Sequence, residues 1–208
     1  MKLFLFDMGG VVARNVAVED AVAKAVGMSE SEFYAACKYD RDARGKTINE
    51  KIDMGDADIM TMLSNGEITT GEFWSEFKKR TGVRAAMEYL GIFFNPVLDD
   101  GVVEIVKALR KKYRVVCGTN TIQSHYDIHL ARGDYALFDK TYASNIIGAS
   151  KPDVEFWKRI MLGESVAPED IFFTDDNEAN CAASSSLGIR TFRFTNANDL
   201  RNEVREWL

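Results

Sequence analysis

The hydrophobic pattern divides the chain into two kinds of segment. Leu3-Phe4-Leu5-Phe6 is an unbroken apolar run that ends at Asp7 and is followed by Gly9-Gly10 and Val11-Val12. A strand buried on both faces of a parallel sheet reads this way, because helices cover both sides and no position faces water. The same signature returns at Arg114–Cys117, leading into Gly118-Thr119-Asn120, and at Asp170–Thr174, leading into Asp175-Asp176. Shorter strand patterns lie at Lys140–Ala143 and Arg190–Phe194. Between them the apolar period lengthens to that of a helix, at Asp99–Lys112, Ile122–Ala131, Val154–Leu162, Glu178–Leu187 and Asn198–Trp207. Strands alternating with helices predict an α/β fold with a doubly wound, Rossmann-like parallel sheet.

Residues 16–95 follow a different rule. They carry no convincing strand pattern, only amphipathic stretches at Val18–Val26, Ser31–Lys38, Ala57–Leu63 and Gly71–Arg80. Gly45, Asn65-Gly66 and Gly82 punctuate them as turns. Ser29 and Glu32 have the spacing of a capping box, in which each residue satisfies a backbone N–H of the other. The expected organisation is therefore a core of residues 1–15 and 96–208, with an all-helical cap of residues 16–95 inserted after the first strand. Phe33, Tyr34, Phe73, Trp74 and Phe77 recur at helical spacing and read as the packing of that cap, with one or two of them available to face a cleft.

Composition narrows the function classes. The 208 residues are 46% hydrophobic and 28% charged, as in an ordinary water-soluble globule. A formal charge of −6 disfavours nucleic acid or an anionic membrane as the main partner. Cys37, Cys117 and Cys181 lie far apart with no C-x-x-C pair, which reads as free thiols rather than disulfides or a zinc site. The apolar start breaks at Asp7, too early for a secretory signal, and no stretch is long enough to span a bilayer. A cytoplasmic protein, monomeric or weakly dimeric, is the expectation.

Open parallel sheets bind ligands at the carboxyl ends of their strands, where strand order reverses. Sorting the strand-terminal residues gathers Asp7, Thr119-Asn120 and Asp175-Asp176. Carboxylates brought together repel one another, and a hard divalent cation such as Mg²⁺ resolves the conflict. Lys151, in Ala149-Ser150-Lys151-Pro152-Asp153, follows a strand and precedes a helix, which brings an ammonium to the same edge. Carboxylates, a cation, a hydroxyl and a lysine form a receptor for a phosphoryl group. Taken singly, each residue also has a plainer reading. Asp7 can be a loop residue or helix cap, Gly9-Gly10 a tight turn, and Thr119-Asn120 the N-cap of a helix starting near Thr121. Lys151 can be a surface lysine before a helix-starting proline, and Asp175-Asp176 a solvated turn. His125 and His129 have the i, i+4 spacing of two metal ligands, but lack a third ligand and the glutamate of a protease motif. They read as surface or packing residues, with His125 bordering the site. Arg14, Asn15 and Arg44 are candidate polar contacts for a substrate.

Four segments together resemble the haloacid dehalogenase-like hydrolase superfamily, in the right order and across the whole chain. Phe6-Asp7-Met8-Gly9-Gly10-Val11-Val12 resembles its first motif and Val115–Asn120 its second. Ser150-Lys151-Pro152-Asp153 resembles the third, and Phe172–Asn180, with its Asp-Asp-Asn-x-x-Asn core, the fourth. The resemblance implies that Asp7 is a nucleophile forming an aspartyl-phosphate, with Lys151 neutralising charge on both nucleophile and phosphate. It implies Mg²⁺ held by Asp7, the Gly9 carbonyl and Asp176, with Asp175 acting through a water. Thr119 and the Asn120 N–H would bind phosphoryl oxygens. The implied activity is hydrolysis of a small phosphorylated metabolite, such as a sugar phosphate.

One position departs from the family pattern. Most phosphatases of this kind carry an acid/base Asp two residues after the nucleophile, where this chain has Gly9. Losing a positioned proton donor typically costs ~10²–10⁴-fold in rate. Either a cap residue or a good leaving group substitutes for it, or the chemistry differs, or the protein binds phosphate and metal without turnover. The first motif Phe-Asp-x-Gly-x-Val and the Gly66-Glu67-Ile68-Thr69 turn before Phe73-Trp74 resemble a branch of sugar phosphatases and epoxide-hydrolase-like phosphatase halves. Members of that branch hydrolyse phosphate esters with Gly in this place. A 2-haloacid dehalogenase fits less well, since those relatives carry Tyr there and need no metal.

Overall fold

The computed structural model describes residues 1–38 and 57–208, so that the turn expected at Gly45 and the candidate contact Arg44 lie outside the described residues. The described residues form seven strands: β1 (Leu3–Phe6), β2 (Ala13–Arg14), β3 (Val97–Leu98), β4 (Arg114–Thr119), β5 (Lys140–Ala143), β6 (Ile171–Asp175) and β7 (Arg190–Arg193). Five of them form a parallel sheet in the order β5-β4-β1-β6-β7. From β1 the chain builds β4 and β5 on one side, then crosses to β6 and β7 on the other. Strand order therefore reverses at β1. Register sets Phe6 opposite both Cys117 and Thr174, which carries Asp7, Thr119 and Asp175 to one edge.

Among the described residues five helices lie between β2 and β3: α1 (Glu19–Ala25), α2 (Glu30–Cys37), α3 (Ile59–Ser64), α4 (Thr70–Thr81) and α5 (Tyr89–Ile92). Six follow: α6 (Asp100–Leu109), α7 (Gln123–Arg132), α8 (Ser144–Ile147), α9 (Val154–Glu164), α10 (Glu178–Ser186) and α11 (Ala197–Glu203). The side-chain period of β1 explains the layering. Phe4 and Phe6 join a buried cluster with Val102, Val106 and Leu200 of α6 and α11. Leu3 and Leu5 join a second cluster with Phe156, Trp157 and Ile160 of α9. The early helices have a cluster of their own, including Val22, Phe33, Leu63, Phe73 and Phe77. Phe33, Phe73 and Phe77 are fully buried there, with Tyr34 and Trp74 packed at the margin, so the aromatics act as packing. The expected capping box at Ser29–Glu32 is present, and Thr69–Glu72 forms a second one.

β2 and β3 pair antiparallel where the chain leaves the sheet and returns. Two-residue strands have no readable period, and the sequence reading placed none there. This ribbon also corrects two expected substrate contacts. The Arg14 guanidinium bonds the Asp99 carboxylate, and Asn15 Nδ2 donates to the Asn95 carbonyl at 2.8 Å. Both residues fasten the two crossings together, and neither is among the described residues that line the cavity below.

Element ends shift by a few residues from expectation. β4 runs on to Thr119 because Gly118 and Thr119 keep pairing with Tyr142 and Ala143. β6 starts at Ile171 because Pro168–Asp170 forms a 3₁₀ turn. α11 stops at Glu203, and Trp207 beyond it packs its ring 5.4 Å from Phe4. The N-cap of α7 is Ile122, not Thr119-Asn120, and that of α9 is Asp153, which accepts the Glu155 N–H. Among the described residues no helix is long and apolar enough to cross a membrane.

Candidate active site

Three strand ends and one loop meet at the reversal. β1 delivers Asp7, 7% exposed, whose Oδ1 accepts the Met8 N–H at 2.8 Å and the Lys151 ammonium at 2.8 Å. Lys151 sits in the loop between α8 and α9 and is 1% exposed, so it is no surface lysine. Its Nζ also donates to Asp175 Oδ2 at 2.7 Å and to the Gly118 carbonyl at 3.0 Å. An ammonium has three protons, and each here has an acceptor. Burial opposes the charge on Lys151, but Asp175 and Asp7 outweigh it and raise its pKa, so the lysine stays protonated.

Asp175 is held on every side. Its Oδ1 accepts the Asn177 N–H at 2.8 Å, and Asn180 Nδ2 approaches both oxygens, at 3.1 and 3.0 Å. Asp7, Asp175 and Asp176 each offer a carboxylate oxygen within 4.8 Å of the others. Burial raises the pKa of Asp7 against the pull of Lys151, and the charges of Asp175 and Asp176 raise it further. Gly10 lets Asp176 come this close. Its φ is +81°, and a Cβ there would lie 2.5 Å from the Asp176 carboxylate. An oxygen-only, strongly negative donor set of this size fits a hard divalent cation such as Mg²⁺.

Thr119 ends β4 with its side chain buried, and Asn120 follows. The Asn120 side chain faces the lysine loop: Nδ2 donates to the Lys151 carbonyl at 2.8 Å, and Oδ1 accepts the Lys151 N–H at 2.9 Å. Sequence reasoning gave Asn120 only a backbone role and missed this clamp. Gly9 borders the site, and a Cβ there would lie 3.3 Å from Val16 Cγ2. Val16 thus crowds the direction an acid/base side chain would take.

A cavity of about 200 Å³ opens beside Thr119, Asn120 and Lys151. Glu19, Thr61, Ser64 and Phe94 line it from the segment between β2 and β3, and His125 and His129 from α7. His125 borders the site as expected. Glu19, Thr61 and Ser64 were missed, although Thr61 and Ser64 are polar residues three apart in the mostly apolar α3, which marks one helix face.

The sequence profile of the haloacid dehalogenase-like hydrolases matches residues 1–188. A D-ribitol-5-phosphate phosphatase from Bacteroides thetaiotaomicron is 28% identical over 98% of this chain and 97% of its own length. A drimenol cyclase from Aspergillus calidoustus is 30% identical over 44% of this chain, which spans only 17% of that protein. Among solved structures, a haloacid-dehalogenase-family enzyme from B. thetaiotaomicron, complexed with magnesium and inorganic phosphate, has a TM-score of 0.71. It is 24% identical, over 94% of each chain. With the profile spanning most of its length, this chain belongs to the haloacid dehalogenase-like hydrolases.

Proposed function

We propose that the protein is a Mg²⁺-dependent hydrolase of small phosphomonoesters that works through an aspartyl-phosphate on Asp7. The observation that carries this reading is the buried Asp7 carboxylate, bonded to the Lys151 ammonium and set beside Asp175 and Asp176 at the strand reversal. The full-length likeness to a ribitol-phosphate phosphatase supports the substrate class.

Asp7 and Asp176, with the Gly9 carbonyl, would hold Mg²⁺. Asp175, its oxygens already accepting from Lys151, Asn177 and Asn180, would act through a water. The ion would supply positive charge opposite the phosphoryl oxygens. One Asp7 carboxylate oxygen would hold the ion, and the other would attack phosphorus. A P–O bond to Asp7 forms as the bond to the alcohol oxygen breaks, and that oxygen takes a proton from solvent, which the attacking water of the second step gives back. Water then attacks the same phosphorus, releasing phosphate and restoring the carboxylate. Thr119 Oγ1, the Asn120 N–H and Lys151 receive the phosphoryl oxygens throughout. Residues 1–15 with 96–208 form the hydrolase core in this reading, and residues 16–95 the cap that excludes water from the cavity.

Gly9 supports a second reading, a metal- and phosphate-binding protein without turnover, because Gly9 carries no proton and Val16 crowds its neighbourhood. Phosphate release from a panel of phosphomonoesters separates the two. Mg²⁺-dependent release by the parent and none by Asp7→Asn is expected of the enzyme. Mg²⁺ binding with no release from any ester would favour the binding protein.

A further inference from the structure

Away from the Thr119, Asn120, Ser150 and Lys151 end of the cavity, four polar residues of its lining have no spare proton. His125 Nε2 lies 2.9 Å from the Leu90 carbonyl. A carbonyl only accepts, so Nε2 carries the hydrogen and Nδ1 keeps a lone pair. Burial lowers the pKa of this ring to about 4, which keeps it neutral at pH 7. Its plane is fixed by stacking on Phe94, with centroids 3.8 Å apart and planes 8° from parallel. Thr61 Oγ1 spends its proton on Asp58 Oδ2 at 2.7 Å. Ser144 Oγ donates to the Ser64 carbonyl at 2.6 Å, so the Ser64 hydroxyl, 3.1 Å from that oxygen, is the donor in their contact. Glu19 presents a carboxylate. Each of these four residues therefore has lone pairs, and no uncommitted proton, to offer a ligand.

We propose that His125, Thr61, Ser64 and Glu19 set leaving-group specificity by accepting hydroxyl protons. They select the phosphate ester of an uncharged, polyhydroxylated alcohol over alkyl esters and over esters whose alcohol carries a second anion. The inference rests on the phosphatase reading and gives its leaving-group pocket a chemistry. An alkyl chain would leave several acceptors without partners once water is excluded, and such sites reject analogues that lack the hydroxyl. A carboxylate on the leaving group would meet Glu19 and the lone pairs of these residues, none of which offers it a proton.

Three esters matched in chain length test it: a pentitol 5-phosphate, n-pentyl phosphate and a pentonate 5-phosphate. With Mg²⁺, the parent should prefer the pentitol ester in kcat/KM by tenfold or more over each of the others. His125→Phe, which keeps the stack, and Thr61→Val, which keeps the shape, should each shrink that ratio at least fivefold. Parent ratios within threefold, or variants that slow all three esters equally, would overturn the proposal. Calorimetric titration of Asp7→Asn with the same esters reads recognition without turnover. The same rank order, flattened by His125→Phe, is expected there, and no rank order would overturn the proposal. A parent that ranks the esters in binding but hydrolyses none would sink the phosphatase reading alone.

Discussion

Removing the Lys151 ammonium would leave Asp7 and Asp175 facing each other in a buried space with no cation between them. Breaking a buried pair by deleting one partner typically costs about 3–5 kcal/mol. Lys151→Met should therefore lower stability to urea by roughly 3 kcal/mol in chelator, with part of the loss restored by Mg²⁺. An unchanged unfolding midpoint would contradict the charge balance described here. Gly10→Ala makes a narrower demand, since its Cβ would press on the Asp176 carboxylate. It should weaken Mg²⁺ binding by roughly tenfold, about 1.4 kcal/mol, in a calorimetric titration, and parent-like affinity would argue against Asp176 as a ligand. Asp7, Lys151, Asp175 and Asp176 were legible in the sequence because each closes or follows a strand-like run in an order the fold requires. The clamp of Asn120 on Lys151 was not, because it joins residues 31 positions apart through side-chain geometry alone. Arg14 and Asn15 misled for the same reason: polarity near a nucleophile says nothing about the direction a side chain takes.

At the scale of elements, the end of α3 meets the sheet edge through one buried hydroxyl. Ser144 Oγ accepts the Thr121 N–H at 2.9 Å and donates to the Ser64 carbonyl at 2.6 Å. The cap helix is thereby tied to the segment that follows Thr119 and Asn120. Two residues beyond Ser64, Gly66 has φ +70°, and any Cβ there would overlap the Asn145 carbonyl. Gly66→Ala should lift this corner of the cap, speed exchange of the Thr121 amide hydrogen, and lower kcat/KM by roughly tenfold, as a misplacement approaching 1 Å does. Exchange of that amide at the parent rate would contradict the coupling. Helix positions were legible to within a few residues because caps such as Ser29 and Asp153 announce them. The β2–β3 ribbon and the Ser144 contact were not, since neither leaves a periodic trace.

For the whole molecule, burial lowers the His125 pKa to about 4, while the unfolded chain titrates near ~6.5. As pH falls through that window the unfolded state takes up the proton first, so stability present above pH ~6.5 is lost progressively toward pH ~4. The loss attributable to this ring is about 2 kcal/mol by pH 5. Urea unfolding at pH 7 and pH 5 should therefore show a smaller pH effect in His125→Gln than in the parent, and equal effects would refute a buried neutral ring. The sheet, its order reversal and the helical insertion were all legible, because buried parallel strands and amphipathic helices have different periods. The walls of the cavity were not, because residues from both sides of the β2–β3 crossing build them together. The most direct test of the account is phosphate release from a pentitol phosphate, with Mg²⁺ and with chelator, by the parent and by Asp7→Asn. Release that needs both Mg²⁺ and Asp7 is expected. Release that survives in Asp7→Asn, or persists in chelator, would contradict an aspartyl-phosphate mechanism on this site.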